Sequence, residues 1–218
     1  MPSAHYCALV TTPADDRTPA APPVAGPQTD LSGDQTDPVW SHPSVVRVRA
    51  ALAEAGVPGA VVVLDGAART AAQAAAQLGV AVDQIANSLV FATRATAGAP
   101  RQPLLVLTSG GHRVDTTKVA AALGLVEVGR ADADFVREHT GFAIGGVAPV
   151  GHSSDLPTLV DEALAAYEVI WAAAGHPHAV FPTTFDELVR ISGGQAAEVA
   201  EEAPDRVTAR ARPTLGNE

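Results

Sequence analysis

One cysteine, Cys7, is the whole thiol content of this 218-residue chain. A single thiol forms no intramolecular disulfide, so nothing calls for an oxidising compartment and a reducing cytoplasm is the expected location. Cys7 lies in a proline-rich start with no base beside it, which argues against a nucleophilic role. Aromatic residues make up only 4%, so the core must be filled mostly by Ala, Val and Leu. No run approaches the roughly 20 apolar residues that a membrane span requires. The first residues lack a basic stretch leading into an apolar one, so no secretory signal is expected.

Positive charge is scarce too. The formal net charge is −10; residues 41–200 hold 15 acids against ten bases, a net of −5, and the flanks hold the rest. Tight non-specific binding of a polynucleotide rests on neutralising phosphates, so a DNA partner is not expected. Docking of one nucleotide end on a local basic patch is compatible with this charge. Arg94, Arg101, Arg113, Lys118, Arg130 and Arg137 are the mid-chain cations available for it.

A 47% hydrophobic content suffices for one substantial core. Residues 1–40 carry seven of the 17 prolines and no sustained apolar period, which predicts a disordered tail; 201–218 is again polar and aperiodic. Between them, Ser41-His42-Pro43 opens a helix with Val45, Val48, Leu52 and Ala55 on one face, stopped by Gly56 and Pro58. A strand is expected at 60–64, then an Ala/Gln-rich helix from the cap Thr70 to Leu78-Gly79. Residues 88–93 and 104–108 read as paired strands. Asp115 caps a helix closed by Gly124, a strand follows at 125–128 and a helix at 132–138. Strands are expected near Leu159-Val160, 169–171 and 179–181, with Ala174-Gly175-His176-Pro177 as a hairpin turn, then a last helix at 184–191. Several neighbouring strands are joined too tightly for parallel crossovers. The fold class is therefore α+β with a mixed sheet.

The most informative stretch is Thr140-Gly141-Phe142-Ala143-Ile144-Gly145-Gly146-Val147-Ala148-Pro149-Val150-Gly151-His152, with Leu159-Val160-Asp161 beyond it. Paired glycines let a backbone take unusual φ values and let another group approach it without a Cβ in the way. Such a loop can aim N–H groups at a carbonyl or oxyanion; a plain glycine-rich turn between strands is the other reading.

This stretch resembles the Gly-Gly-x-x-Pro-x-Gly…Asp segment of the YbaK/ProX family, the free-standing relatives of the editing domain of bacterial prolyl-tRNA synthetases. Further pieces match in order: Arg69-Thr70-Ala71-Ala72 with Leu78-Gly79-Val80, the strand around Asn87-Ser88-Leu89-Val90-Phe91, Arg113-Val114-Asp115 through Lys118 to Gly124, and Val180-Phe181-Pro182-Thr183 with Asp186-Glu187-Leu188. The resemblance covers about 41–200. It implies that the mixed sheet curls into a barrel-like core with helices packed outside. It also implies a trans-editing aminoacyl-tRNA deacylase whose partner is the aminoacylated 3′ end of tRNA. The reaction needs no metal or other cofactor and no nucleophilic triad, because water attacks the ester.

On that resemblance, the amides of Gly145 and Gly146 are the candidates for carbonyl recognition. If they do this work, Gly146→Val abolishes activity and leaves unfolding nearly unchanged. Where the family pattern has a lysine, this chain has Asn87, followed by Ser88. Asparagine can hydrogen-bond a ribose hydroxyl or carbonyl but carries no charge, and loss of a charge-assisted contact is worth roughly 1.5–3 kcal/mol. A changed substrate, compensation by a nearby arginine and a non-catalytic module that binds a tRNA end, an aminoacyl-like ligand or a synthetase all remain open. Asp161 is either a hydrogen-bond partner of the substrate amine or catalytic loop, or a turn cap. His152 is either a base of near-neutral pKa or solvated, and Pro149 and Gly151 shape the loop on the substrate side. His176-Pro177-His178 lacks a third ligand at metal-binding spacing. Ser109-Gly110-Gly111-His112 does not have the spacing of a phosphate loop.

Overall fold

A computed structural model describes residues 37–57 and 61–201. Cys7, Pro58 and both expected tails lie outside the described residues, apart from Asp37–Trp40 and Glu201. Asp37 accepts a hydrogen bond from Val39 N and caps a short 3-10 turn, Pro38–Ser41.

Helix α1 (Pro43–Glu54) starts as the sequence predicts, with the His42 side chain as its cap and Pro43 in the first turn. Val45, Val48 and Leu52 are buried at helical spacing. Strand β1 is Val62–Val63 and helix α2 is Ala71–Leu78, capped by Thr70 and closed by left-handed Gly79. Strands β2 (Ile85–Arg94) and β3 (Gln102–Ser109) form the central hairpin. Helix α3 (Thr116–Leu123) is capped by Asp115, strand β4 is Glu127–Arg130, and helix α4 (Ala133–Thr140) is capped by Asp132. Then come β5 (Thr158–Asp161), β6 (Ile170–His176), β7 (Ala179–Thr183), α5 (Phe185–Ser192, capped by Thr184) and β8 (Gln195–Ala197).

The strands form one mixed sheet in the order β1-β7-β6-β2-β3-β5-β8, with β4 attached to β2 off this path. The α+β class and mixed sheet agree with expectation, but the sheet is open rather than a closed barrel, with β1 and β8 at its ends. Strand β3 is buried on both faces, and its alternation divides the core. Leu105 and Leu107 join α1, Phe142, Leu164 and Leu188 in the main cluster, while Leu104 and Val106 join Phe91, Val119 and Val199 in a second.

Three expectations are corrected. Strand β4 begins two residues later than expected. Strand β8 was not anticipated: it is three residues long and largely exposed, so it carries no apolar signature. The hairpin turn expected at 174–177 lies at 177–178 instead, and residues 174–176 form the irregular end of β6, with the register shifting between Ala173 and His176. The cause is Gly175, at φ 88°, whose missing Cβ would lie 2.7 Å from Ser44 O and 3.1 Å from the Phe142 ring. Here α1 packs directly on the backbone of β6.

Gly175→Ala is therefore expected to lower the unfolding free energy by about 2–3 kcal/mol, from left-handed backbone strain plus overpacking. Gly98→Ala shares the positive φ of 80° but meets nothing within 4 Å, and should cost only the backbone contribution, about 1 kcal/mol. Urea unfolding of the two variants separates these effects.

Candidate functional site

Strand β2 is paired to β3 along one edge from Ala86 to Thr93. Its other edge is divided. Ile85 and Ala86 run parallel to Trp171 and Ala172 of β6, whereas Phe91 to Arg94 run antiparallel to β4. Residues 87–90 between them have no strand partner on that side, and the 144–147 loop lies beside the gap. Two cavities open here. The larger, about 450 Å³, is lined by Asn87 and Gly145, with Arg69, Thr70, Trp171 and His176 around them. The smaller, about 250 Å³, is lined by Val90, Phe91, Arg130 and Val136. Both share Ser88, Leu89, Ile144, Gly145 and Val147 as a common wall. At the crest of this wall Ile144 is held 62% exposed.

The two adjacent glycines serve different needs. Gly145 has φ 90°, and an added Cβ would meet only Arg69, no nearer than 3.9 Å. Among the described residues its N–H has no acceptor. The Gly146 N–H, by contrast, donates to Ala143 O at 3.0 Å, and a Cβ there would lie 3.1 Å from His176 Cα and 3.2 Å from Gly175 C and O. Gly146 is thus a close-packing residue and lines neither cavity. The expectation that Gly146→Val would spare stability is corrected, since the new side chain would collide with the backbone of β6. Of the two amides, only that of Gly145 is available to a ligand.

Ser88 presents the clearest signal. Its Oγ is buried and has no hydrogen-bond partner, yet the residue lies on the wall common to both cavities. Buried hydroxyls are seldom left so, because each costs about 1–3 kcal/mol in lost hydration. Asn87 stands next to it on β2, opposite Thr108 of β3.

The other expected site residues lie outside the cavity walls. Pro149 is buried behind the loop, and Gly151, at φ 74°, rests on Arg47 of α1. His152 Nε2 donates to Ala148 O at 2.7 Å, and its ring meets Phe142 edge-on. Burial pushes the His152 pKa below its ordinary value; the Ala148 carbonyl opposes this and the Arg47 charge adds to it. The ring is a neutral brace. Asp161 is 2% exposed. Its Oδ2 accepts from Thr108 Oγ1 at 3.0 Å and Ser109 N at 3.1 Å, and lies 2.8 Å from His112 Nδ1. Its Oδ1 accepts from Ala163 N and caps the 3-10 turn Glu162–Ala166.

Sequence reasoning did not place His176 or Arg69 in the site. His176 Nδ1 accepts from His178 N at 3.2 Å, which assigns the proton of the neutral ring to Nε2. Its ring packs against His42 (centroids 4.8 Å) and His178 (5.5 Å). Burial, then the neighbouring His42 and His178, lower its pKa, with Asp37 opposing. Among the described residues, no group of three His, Cys, Asp or Glu side chains is placed to hold a metal ion.

The model of the aminoacyl-tRNA editing domain family matches residues 65–191. This chain belongs to that family. A crystal structure of "a putative trans-editing enzyme for prolyl tRNA synthetase" is 42% identical, with a TM-score of 0.67, and the match covers 73% of this chain and 98% of that one. The "Putative Cys-tRNA(Pro)/Cys-tRNA(Cys) deacylase EbsC" of Enterococcus faecalis is 26% identical over 53% of this chain and 70% of that protein. A proline–tRNA ligase of Limosilactobacillus fermentum is 34% identical over 97 residues, 44% of this chain and 17% of the ligase. The YbaK-type resemblance of the sequence is thus the family of this editing domain. No helix among its described residues is long and apolar enough to cross a membrane.

The partly buried His152 and His176 are expected to make the stability of this editing domain fall in acid. Both His152 and His176 have folded-state pKa values below the ordinary 6.5. Just below that pH the unfolded chain binds more protons than the folded one, so stability falls as pH drops through this window. Calorimetry between about pH 7.5 and pH 5.5 should show a falling Tm. His152→Gln should flatten the dependence in part, leaving the share of His176.

Proposed function

We propose that this chain is a trans-editing deacylase that hydrolyses the ester joining a wrong amino acid to the 3′-terminal ribose of a tRNA. The observation that carries this reading is the unpaired edge of β2 facing the free Gly145 amide across a cavity, with the orphaned Ser88 hydroxyl between them. An aminoacyl ester has two arms, a side chain and a nucleotide, joined at one carbonyl. The two cavities meet at one wall bearing hydrogen-bonding groups, which suits that shape. Membership of the editing family and similarity to proteins described as a trans-editing enzyme and a Cys-tRNA deacylase support the same class of reaction.

In this mechanism the Gly145 N–H donates to the carbonyl oxygen, and this hydrogen bond strengthens as the oxygen becomes an oxyanion. Ser88 Oγ, enclosed in the wall, supplies a second contact once its side chain turns toward the cavity, and the Asn87 amide binds a ribose hydroxyl. Water attacks the carbonyl carbon, the bond to the ribose oxygen breaks, and that oxygen takes up a proton to leave as a hydroxyl. Neutral His176 can offer Nε2–H to the substrate. Asp161 acts as a positioning residue: it holds Thr108, which pairs with Asn87 across the hairpin. Pro149, Gly151 and His152 fix the loop from behind. Selection among small amino acids rests on fit, where one methylene is worth about 1–3 kcal/mol.

Asn87, in the place of the family lysine, favours a second reading, a module that binds the tRNA end without cleaving it. Incubation with Ala-, Ser-, Thr- and Cys-charged tRNAs tests the two. Release of at least one amino acid well above the buffer rate is expected; tRNA binding with no ester loss across the panel would establish the module instead. Within an active enzyme, Ser88→Ala should lower kcat/KM about tenfold or more while leaving the unfolding free energy unchanged or slightly raised, because the deleted hydroxyl is unsatisfied in the fold. A parallel loss of stability would make Ser88 merely structural.

A further inference from the structure

An editing site must hold the phosphate beside the terminal ribose, and the position where the family carries a lysine is here neutral. The cations of the domain differ sharply in what they already touch. Arg47 donates to Gly141 O and covers Phe142, and Arg49 stacks on Trp40. Arg94 pairs with Glu127, Arg101 with Asp132, Arg113 with Glu201, Lys118 with Glu198 and Arg190 with Glu187. Arg69, Arg130 and Arg137 have guanidinium groups for which no acceptor occurs among the described residues. Of these, only Arg69 lines the cavity that contains Asn87. Its Cγ lies 3.9 Å from where a Gly145 Cβ would be, so its stem packs beside the one loop amide that is free. Arg130 lines the smaller cavity, whose 250 Å³ suits the amino-acid arm of the ester rather than the nucleotide. Asn87 for a ribose hydroxyl, Trp171 as an aromatic wall and an uncommitted guanidinium at the mouth make the larger cavity the nucleotide side.

We propose that Arg69 is the phosphate-binding residue of this site and supplies the charge that position 87 lacks. The proposal rests on the deacylase reading for its substrate, but it concerns binding and can be tested without catalysis. Guanidinium binds phosphate bidentately, and Arg69 offers it from an exposed position just before α2.

The probe is a short uncharged RNA ending in CCA, followed by fluorescence anisotropy over a range of salt. Arg69→Ala is expected to weaken binding about tenfold and to reduce the salt slope by about 0.7, as for one lost phosphate contact on a single strand. Arg69→Lys should retain part of the affinity. Adding Asn87→Lys to Arg69→Ala should restore it, and Arg113→Ala, away from both cavities, should bind like wild type. In deacylation, Arg69→Ala should raise KM and leave kcat nearly unchanged. Unaltered affinity and salt slope in Arg69→Ala, or the loss appearing with Arg130→Ala instead, would overturn the proposal. The two readings fail separately. If wild type binds the RNA through Arg69 yet cleaves no charged tRNA, this proposal stands and the deacylase reading falls. If wild type cleaves but Arg69→Ala changes neither KM nor RNA affinity, the reverse holds.

Discussion

Backbone N–H and C=O groups in a folded core must find partners, and the way β2 meets this demand determines where the site lies. Two different strands share its outer edge, one parallel for two residues and the other antiparallel for four. They approach from opposite ends and do not meet. An interior strand with four residues of open edge is a template for whatever can supply hydrogen bonds, the same property that makes exposed sheet edges sticky. The neighbouring loop covers the gap without closing it, because Gly146 locks onto the backbone of β6 and keeps the loop at a fixed distance. An opening walled by rigid strands and a clamped loop is preorganised, as electrostatic catalysis requires.

The clamp reaches well beyond the loop. Gly175 brings β6 against α1, Gly151 rests on Arg47 of α1, and Arg47 covers Phe142, whose ring also meets His152. Thus α1, β6 and the 141–152 segment form one packed unit. On the other side of β2, Asp161 ties β5, the end of β3 and His112 together through a carboxylate that is fully hydrogen-bonded. Residues that look catalytic in the sequence, His152 and Asp161 above all, thereby position others. Among the described residues, the groups without a partner beside the cavities are plainer: a glycine amide, a buried serine hydroxyl and an asparagine.

What was legible in the sequence follows from how local the physics is. Capping by Thr70 and Asp115 and closure by Gly79 and Gly124 could be read because each depends on a residue and its near neighbours. The hairpin of β2 and β3 could be read from apolar runs around a turn. The divided edge of β2 could not, since it depends on β6, which lies some 85 residues away, and on β4. For the same reason the pair Gly145-Gly146 looks like a single feature in sequence, whereas one glycine is needed for its φ and the other for an approach by distant Gly175. Arg69 was hidden because a cation shows its importance only when the partners of the other cations are known. His176 was hidden because it reads as part of the hairpin tip, whereas it is the last residue of β6 before the turn and lines the cavity.

The exchange of lysine for asparagine at position 87 has a coherent electrostatic sense on the deacylase reading. An aminoacyl ester carries an ammonium group beside its carbonyl, so a lysine within the cavity attracts the phosphate but repels that ammonium. With Asn87, Ser88 and His176 on its walls, the groups nearest the Gly145 amide are dipoles, and the cavity's cation, Arg69, is an exposed residue. Hydrogen bonds between dipoles and a growing oxyanion gain strength in such a low-dielectric space, and no charge on the protein competes for the ammonium. Moving the cation outward to Arg69 keeps it near the phosphate while separating it from the reacting group. The overall negative charge of the domain then disfavours long stretches of polynucleotide, and recognition is concentrated on a single end.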